Sequence, residues 1–79
     1  MTEKIPFEVK EVIGVIDKND NTGWATVVTY TSWNNRDAVY DIRDWNSETP
    51  DENSRMGKGI TLTEDAAKEL QKLLYKHFK

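Results

Sequence analysis

The stretch of sequence that decides the fold covers residues 39–62, which read VYDIRDW (39–45), NSETPDENSRM (46–56) and GKGITL (57–62). The first piece alternates between Tyr40 and Ile42 on one side and Asp41 and Arg43 on the other, which is typical of a β-strand. Residues 46–54 are polar, contain Pro50 and predict a flexible loop. Residues 57–62 predict a second short strand, so the stretch predicts two strands joined by a loop.

Two further strands are predicted upstream of this hairpin. Residues 7–16 alternate with a period of two, which places Phe7, Val9, Glu11, Ile13 and Val15 on one side and Glu8, Lys10, Val12, Gly14 and Ile16 on the other. Both sides are apolar from Val12 onward, so we expect the second half of this strand to be covered on both faces. Residues 17–23 (DKNDNTG) predict a hairpin loop, residues 24–33 (WATVVTYTSW) a second strand, and residues 34–37 a turn.

One helix is predicted after the strands, over about residues 63–78. Thr63 is a suitable N-cap, and Glu64 and Asp65 favour the positive end of the helix dipole. Apolar residues then recur at spacings of three and four, as Ala66, Ala67, Leu70, Leu73, Leu74 and Phe78. The chain therefore predicts a single α+β domain over residues 1–79, with a four-stranded sheet, one C-terminal helix and a disordered tip at residues 1–4.

A single helix covers only one face of a four-stranded sheet. We expect the side of the third strand that holds Ile42 to face the core, which leaves Arg43 and Trp45 on the open face. That open face must be solvated, bound to a partner, or both, and exposing Trp33 and Trp45 on it is costly unless something packs on them.

The small size of the chain limits what stabilises it. At 79 residues the hydrophobic core is marginal, so we expect a homodimer. The chain has no cysteine and one histidine, which excludes disulfides and a structural zinc site within it, and nothing predicts a cofactor. No apolar run approaches the roughly 20 residues that span a membrane, and the N-terminus lacks a signal-peptide pattern, so we expect a soluble cytoplasmic protein.

The charge distribution permits a nucleic-acid partner more than the average charge does. The net charge is −3 and the pI about 5.0. Residues 21–54 hold two basic and six acidic residues, whereas residues 55–79 hold six basic and three acidic ones. The average charge counts against a nucleic-acid partner, and the net positive C-terminal third tempers that objection.

Aromatic and cationic side chains concentrate near the ends of the predicted strands. Trp45, Arg43, Arg55 and Lys58 suit a surface that stacks bases and pairs with phosphates. The alternatives are tryptophans that pack a hairpin or dimer edge, with Trp24 sealing the core, and an Arg43 that forms a surface ion pair. Lys58 lies between two glycines, but the full phosphate-loop pattern is missing. No acid–base pair or activated nucleophile is recognisable, so the sequence does not favour an enzyme.

Three motifs together resemble the positive cofactor four family of transcriptional coactivators, in particular its short bacterial single-domain members. They are Ser32-Trp33-Asn34, Asp41-Ile42-Arg43 followed by Trp45, and residues 57–62. The resemblance implies a homodimer of curved antiparallel sheets that binds single-stranded DNA with little sequence specificity. By position it implies base stacking on Trp33 and Trp45. It also implies backbone contacts by Arg43 and Lys58. Asn34 and Arg36 lie in the turn where the family places lysines, and Thr31 stands where an arginine is common, so these three are further candidate binding residues. In the second strand this chain has fewer basic residues than is common in the family.

The functional hypothesis is thus a single-stranded-DNA-binding protein of transcription or of replication and repair, which works with the proteins of those processes. The rival hypothesis is a protein-interaction module that uses the same aromatic surface, which the acidic pI favours. The sequence leaves open whether RNA competes with DNA.

Overall fold

In the computed structural model, which describes residues 6–79, the chain forms four β-strands and one α-helix. They are β1 (Phe7–Lys18), β2 (Ala25–Trp33), β3 (Val39–Trp45), β4 (Met56–Leu62) and α1 (Glu64–Phe78). The four strands make one antiparallel sheet in the order β1-β2-β3-β4, so each strand pairs with its neighbour in the chain. The predicted fold class is confirmed. The predicted disordered tip lies outside the described residues.

β1 departs from the predicted strict alternation. Its register against β2 shifts three times, between Val9 and Glu11, between Val12 and Gly14, and between Val15 and Asp17. Each shift inserts one extra residue, so Phe7, Val9, Val12, Val15 and Lys18 share one face. The prediction that placed Glu11 and Ile13 with Phe7 is therefore wrong, because bulges change the period locally. The expected double coverage is also absent within residues 6–79, where Ile13 is 49% and Ile16 63% exposed.

The core lies on the face of the sheet that was expected to be open. Ala25, Val27 and Trp45 are its buried apolar residues, and Phe7 and Val9 pack against them. We call this the aromatic face; its members on β2 and β3 are Ala25, Val27, Thr29, Thr31, Trp33, Val39, Asp41, Arg43 and Trp45. The opposite side, the helix face, carries Val28, Tyr30, Tyr40 and Ile42. The expectation that the Ile42 side holds the core is wrong.

Curvature of the sheet explains this burial. Phe7 pairs with Trp33 at one end of β2 and Trp45 pairs with Ala25 at the other end, yet the rings of Phe7 and Trp45 have centroids only 5.7 Å apart. The bulges in β1 and a further register shift between β3 and β4 bend the strands. The two ends of the aromatic face therefore approach each other and enclose the residues between them.

The turn between β2 and β3 has the geometry that a tight hairpin requires. Asn34 and Asn35 have φ values of 53° and 62°, and the Arg36 N–H donates to the Trp33 carbonyl at 2.9 Å. Positive φ at both central residues is the signature of a type I′ turn, and asparagine tolerates it. The predicted turn is confirmed.

α1 begins as the sequence predicted, because the Thr63 side chain accepts a hydrogen bond from the Ala66 N–H at 3.2 Å. The helix lies on the helix face, where Ala67 and Gln71 line a cleft beside Tyr40. Its apolar stripe is nevertheless little covered within the described chain, since Leu73 is 56% and Phe78 79% exposed.

Gly59 is required by the close approach of β4 to β3. A Cβ added there would lie 2.5 Å from the Ile42 carbonyl oxygen and 2.7 Å from the Arg43 Cα. We expect Gly59→Ala to lower the free energy of unfolding by about 1–3 kcal/mol through overpacking. Urea denaturation measures the loss. Gly14→Ala is the matched control, because nothing lies within 4 Å of its added Cβ, and equal effects of the two substitutions would contradict this packing.

Candidate nucleic-acid interface

Arg43 is held rigidly on the aromatic face. Its Nε donates to Asp41 Oδ1 at 2.6 Å and its Nη2 to Oδ2 at 2.9 Å, so the pair is bidentate. The Asp41 side chain is fully buried and that of Arg43 is 16% exposed. The guanidinium carbon lies 4.8 Å from the centroid of the Trp33 ring, a cation–π distance. Buried Asp41 therefore fixes a cation over an aromatic ring.

Three aromatic rings meet on this face. Phe7 has its ring centroid 5.4 Å from that of Trp33 and 5.7 Å from that of Trp45. Trp33 and Phe7 are partly exposed, whereas Trp45 is 0% exposed. The expectation that Trp45 presents an open ring is wrong, because the curved sheet places it in the core. In this conformation Trp33 and Phe7 offer the accessible aromatic surface.

Thr31 is also buried, contrary to the expectation of a surface donor. It is 0% exposed, and its hydroxyl lies 2.8 Å from that of Thr29, which is equally buried. One of the two hydroxyl groups donates to the other, so each has a partner within the buried face. Thr31 therefore supports this face from below and does not reach solvent.

The remaining predicted residues lie at the rim of the face. Asn34 and Arg36 are exposed in the turn that follows Trp33. Lys58 is exposed on β4. Arg43 pairs with Gly59 and Trp45 with Met56, so the register shift between these two pairs leaves Lys58 without a partner in the ladder. Arg55 is exposed at the end of the loop, where its N–H donates to Asn46 Oδ1 at 2.9 Å. None of Arg36, Arg55 and Lys58 forms a salt bridge with another residue among 6–79.

Two buried donors on this face have no acceptor. The Nε1 atoms of Trp33 and Trp45 are inaccessible to solvent and have no hydrogen-bond partner within residues 6–79. A buried polar group without a partner costs about 1–3 kcal/mol. A hydrogen-bond acceptor that reached either Nε1–H group would therefore stabilise the protein.

Two residues of this arrangement were missed by the sequence analysis. Phe7 belongs to the aromatic cluster, but only the register with Trp33 reveals it. Asp41 holds Arg43, and the spacing of two residues along one strand face was a signal that the sequence did offer. No group of three or more histidine, cysteine or acidic side chains that could hold a metal occurs in the described part of the chain, and none of its helices is long and apolar enough to cross a membrane.

Comparison with protein families decides what the chain is related to. The family model described as Transcriptional Coactivator p15 (PC4) matches residues 21–73, which is 53 of the 79 residues. The chain belongs to the PC4 family. The matched span contains Trp33, Arg43 and β4, whereas all of β1, with Phe7 and Lys18, lies before it.

A bacterial protein is similar to this PC4-family chain over most of its length. It is an uncharacterised protein of Treponema pallidum (strain Nichols), 41% identical over 68 residues, which are 86% of this chain and 74% of the relative. The resemblance drawn from the three sequence motifs is confirmed at the level of the family.

Proposed function

We propose that this chain is a homodimeric protein that binds single-stranded DNA with little sequence specificity and acts in transcription regulation or in replication and repair. Membership of the PC4 family of transcriptional coactivators supports the general role. The proposed activity is binding without catalysis. Because the similar protein is bacterial, we propose the cytoplasmic nucleoid as the place of action.

The observation that carries the proposal is a partly exposed Trp33, whose ring centroid lies 5.4 Å from that of Phe7 and 4.8 Å from the guanidinium carbon of Arg43. Unpaired bases stack on such rings, and each stacked base is worth about 1–3 kcal/mol. Arg43 uses Nε and one hydrogen of Nη2 on Asp41, and its Nη1 also contacts Met56 Sδ at 3.7 Å. Because arginine has five N–H donors, two remain for a phosphate.

The exposed cations Arg36, Arg55 and Lys58 are candidates to contact the phosphates of a strand that crosses the face. Arg36 and Asn34 lie at the Trp33 end, and Lys58 precedes Gly59, which is the ladder partner of Arg43. Phosphates that run between these groups would place successive bases over Phe7 and Trp33. Duplex DNA keeps its bases stacked and hidden, so we expect it to bind more weakly.

Anisotropy of a labelled oligo-dT, titrated with the protein at two salt concentrations, tests this function. We expect binding that weakens as salt rises, since each neutralised phosphate contributes a slope of about −0.7 in log affinity against log salt. Trp33→Ala should weaken binding about tenfold or more. Trp24→Ala is the control, because Trp24 is partly exposed, as Trp33 is, but lies beside Gly57 on the opposite side of the sheet.

The outcome also separates the rival protein-interaction module, which the net charge of −3 favours. If the folded protein leaves oligo-dT unbound at low salt, or binds the duplex equally well, the stacking proposal fails. If no DNA is bound, the aromatic face is better explained as a protein-docking surface.

Dimerisation is supported by the apolar surface that one chain leaves exposed. The chain has 6371 Å² of accessible surface, against roughly 4,900 Å² for a compact monomer of its mass. Exposed apolar side chains line α1 and the adjoining strand β4, as Leu73, Leu74, Tyr75, Phe78 and Ile60. A second copy of this chain packed on α1 would bury them.

We expect Leu73→Glu to shift the protein from dimer to monomer, because it places a charge in the proposed interface. Sedimentation velocity measures the change in mass. Lys72→Gln is the control with the same change of net charge on the neighbouring, polar side of the helix. A wild-type monomer at micromolar concentration, or equal effects of the two substitutions, would contradict the proposed interface.

A further inference from the structure

We propose that the β3–β4 loop, residues 46–55, is an acidic lid over the aromatic face. A bound strand displaces this lid and takes over Lys18 as an additional phosphate contact. This inference rests on the proposed function and adds to it a competing segment of the same chain and a new binding residue on β1.

The loop contacts both ends of the aromatic face. At one end Glu48 Oε2 lies 2.9 Å from Lys18 Nζ, and Lys18 is paired with Ala25 beside Trp45. At the other end Glu52 lines a cleft of about 220 Å³ together with Pro6, Phe7, Glu8, Ser32 and Asn35. Because residues 48 and 52 reach opposite ends, the segment between them lies across the face. Pro50, its midpoint, is buried.

The loop is built as a unit that can move about its base. The Asn46 N–H donates to the Arg55 carbonyl at 3.0 Å, which closes the base. At the tip the Asp51 N–H donates to Ser54 Oγ at 3.0 Å and the Ser54 N–H donates to the Asp51 carbonyl at 3.0 Å. Its charged tie to the sheet is the Lys18–Glu48 pair, whose side chains are 44% and 52% exposed. Exposed pairs of this kind are weak, so the lid is loosely fastened.

Charge makes the loop a competitor of nucleic acid. Its three carboxylates, Glu48, Asp51 and Glu52, lie where a strand would carry phosphates. The hydrogen bond from Lys18 to Glu48 and their attraction raise the pKa of Lys18 above its ordinary 10.5. Lys18 therefore stays charged at neutral pH, and a phosphate oxygen can replace the carboxylate. Salt, rather than pH near neutrality, should control this tie.

The two unpaired indoles show what the closed state leaves unsatisfied. Trp45 is 0% exposed, and the Nε1 donors of Trp33 and Trp45 lack acceptors within residues 6–79. The carbonyl or phosphate oxygens of a strand that displaces the lid are suitable acceptors. Such a strand would satisfy donors that no residue among 6–79 pairs.

Glu48→Gln tests the lid, because it weakens the tie and keeps the side-chain size. We expect it to tighten oligo-dT binding several-fold beyond the effect of Glu64→Gln, measured by anisotropy at low salt. Glu64→Gln is the matched control, since Glu64 is an exposed partner of Lys68 on α1 at 3.4 Å and the charge change is the same. Equal affinities of the two variants would overturn the lid.

Lys18→Gln separates the lid from the new contact. It breaks the same tie but also removes the cation, so we expect weaker binding than in Glu48→Gln and a salt dependence lower by about one phosphate contact. If Lys18→Gln instead tightens binding as much as Glu48→Gln does, Lys18 is not a phosphate contact.

A measurement on the protein without DNA tests the lid separately from the proposed function. Hydrogen exchange of the Trp45 indole should be faster in Glu48→Gln than in Glu64→Gln, because opening the lid uncovers the end of the face where Ala25 pairs with both Lys18 and Trp45. Unchanged exchange would overturn the lid whether or not oligo-dT binds. Faster exchange in a protein that does not bind oligo-dT would support the lid and reject the proposed function.

Discussion

Trp45→Ala is expected to lower the free energy of unfolding by about 3–5 kcal/mol, the range for removing a buried large aromatic side chain. Trp45 is fully buried and is the largest side chain of a core whose other buried apolar members among residues 6–79 are Ala25 and Val27. Its loss would leave a cavity beneath Phe7, whose ring lies 5.7 Å away. Urea denaturation followed by circular dichroism measures the change.

Trp33→Ala is the comparison for this result, because Trp33 shares the face but is partly exposed. We expect it to cost clearly less stability than Trp45→Ala and to act mainly on DNA binding. A loss below about 1 kcal/mol in Trp45→Ala would place that residue outside the core. The aromatic face would then be open, as the sequence alone suggested.

Arg43→Met is expected to cost about 3–5 kcal/mol of stability, because it leaves a buried carboxylate without its partner. Asp41 is 0% exposed and both of its oxygens accept from Arg43, at 2.6 and 2.9 Å. Methionine keeps much of the length of the arginine side chain, so the lost charge pair dominates the effect. Thermal and urea unfolding report it.

A double-mutant cycle with Asp41→Asn is the control for this pair. The double variant removes both charges, so we expect it to be more stable than Arg43→Met alone. Additive losses from the two single substitutions would show that Asp41 and Arg43 act independently. The fixed cation over Trp33 would then need another explanation.

Local signals in the sequence predicted the elements well. Some residues have a backbone preference that their neighbours do not overrule. Examples are the turn residues Asn34 and Asn35, the N-cap Thr63 and the polar stretch at 46–54. The bounds of the strands and of the helix Glu64–Phe78 follow from these turn and capping residues and from the spacing of the apolar residues between them. The family resemblance likewise rested on short contiguous motifs.

Long-range geometry was not accessible in the same way. Three bulges in β1 leave Lys10, Ile13 and Ile16 outside the ladder, and a bulge has no fixed sequence signature. Without that register, Phe7 was not placed beside Trp33. The alternation of side chains along β3 showed which residues share a face of the sheet. It did not show which face is buried, because that depends on how the sheet curves.

The sequence predicted which residues form the candidate site better than it predicted which of them are exposed to solvent. Trp33 and Arg43 lie together as expected, at a cation–π distance of 4.8 Å. Trp45 and Thr31 lie on the same face but beneath it, because the bent sheet encloses its own centre. The roles of the rim residues Arg36 and Lys58 stay predictions.

The most direct test of the account is the NMR signals of the tryptophan indole N–H groups during titration with oligo-dT. The chain has three tryptophans, so three signals report separately on the two faces. We expect the signals of Trp33 and Trp45 to shift as their unpaired donors meet acceptors of the strand, while that of Trp24, on the other side of the sheet, stays in place. Shifts confined to Trp24, or no shift in any of the three, would contradict binding on the aromatic face.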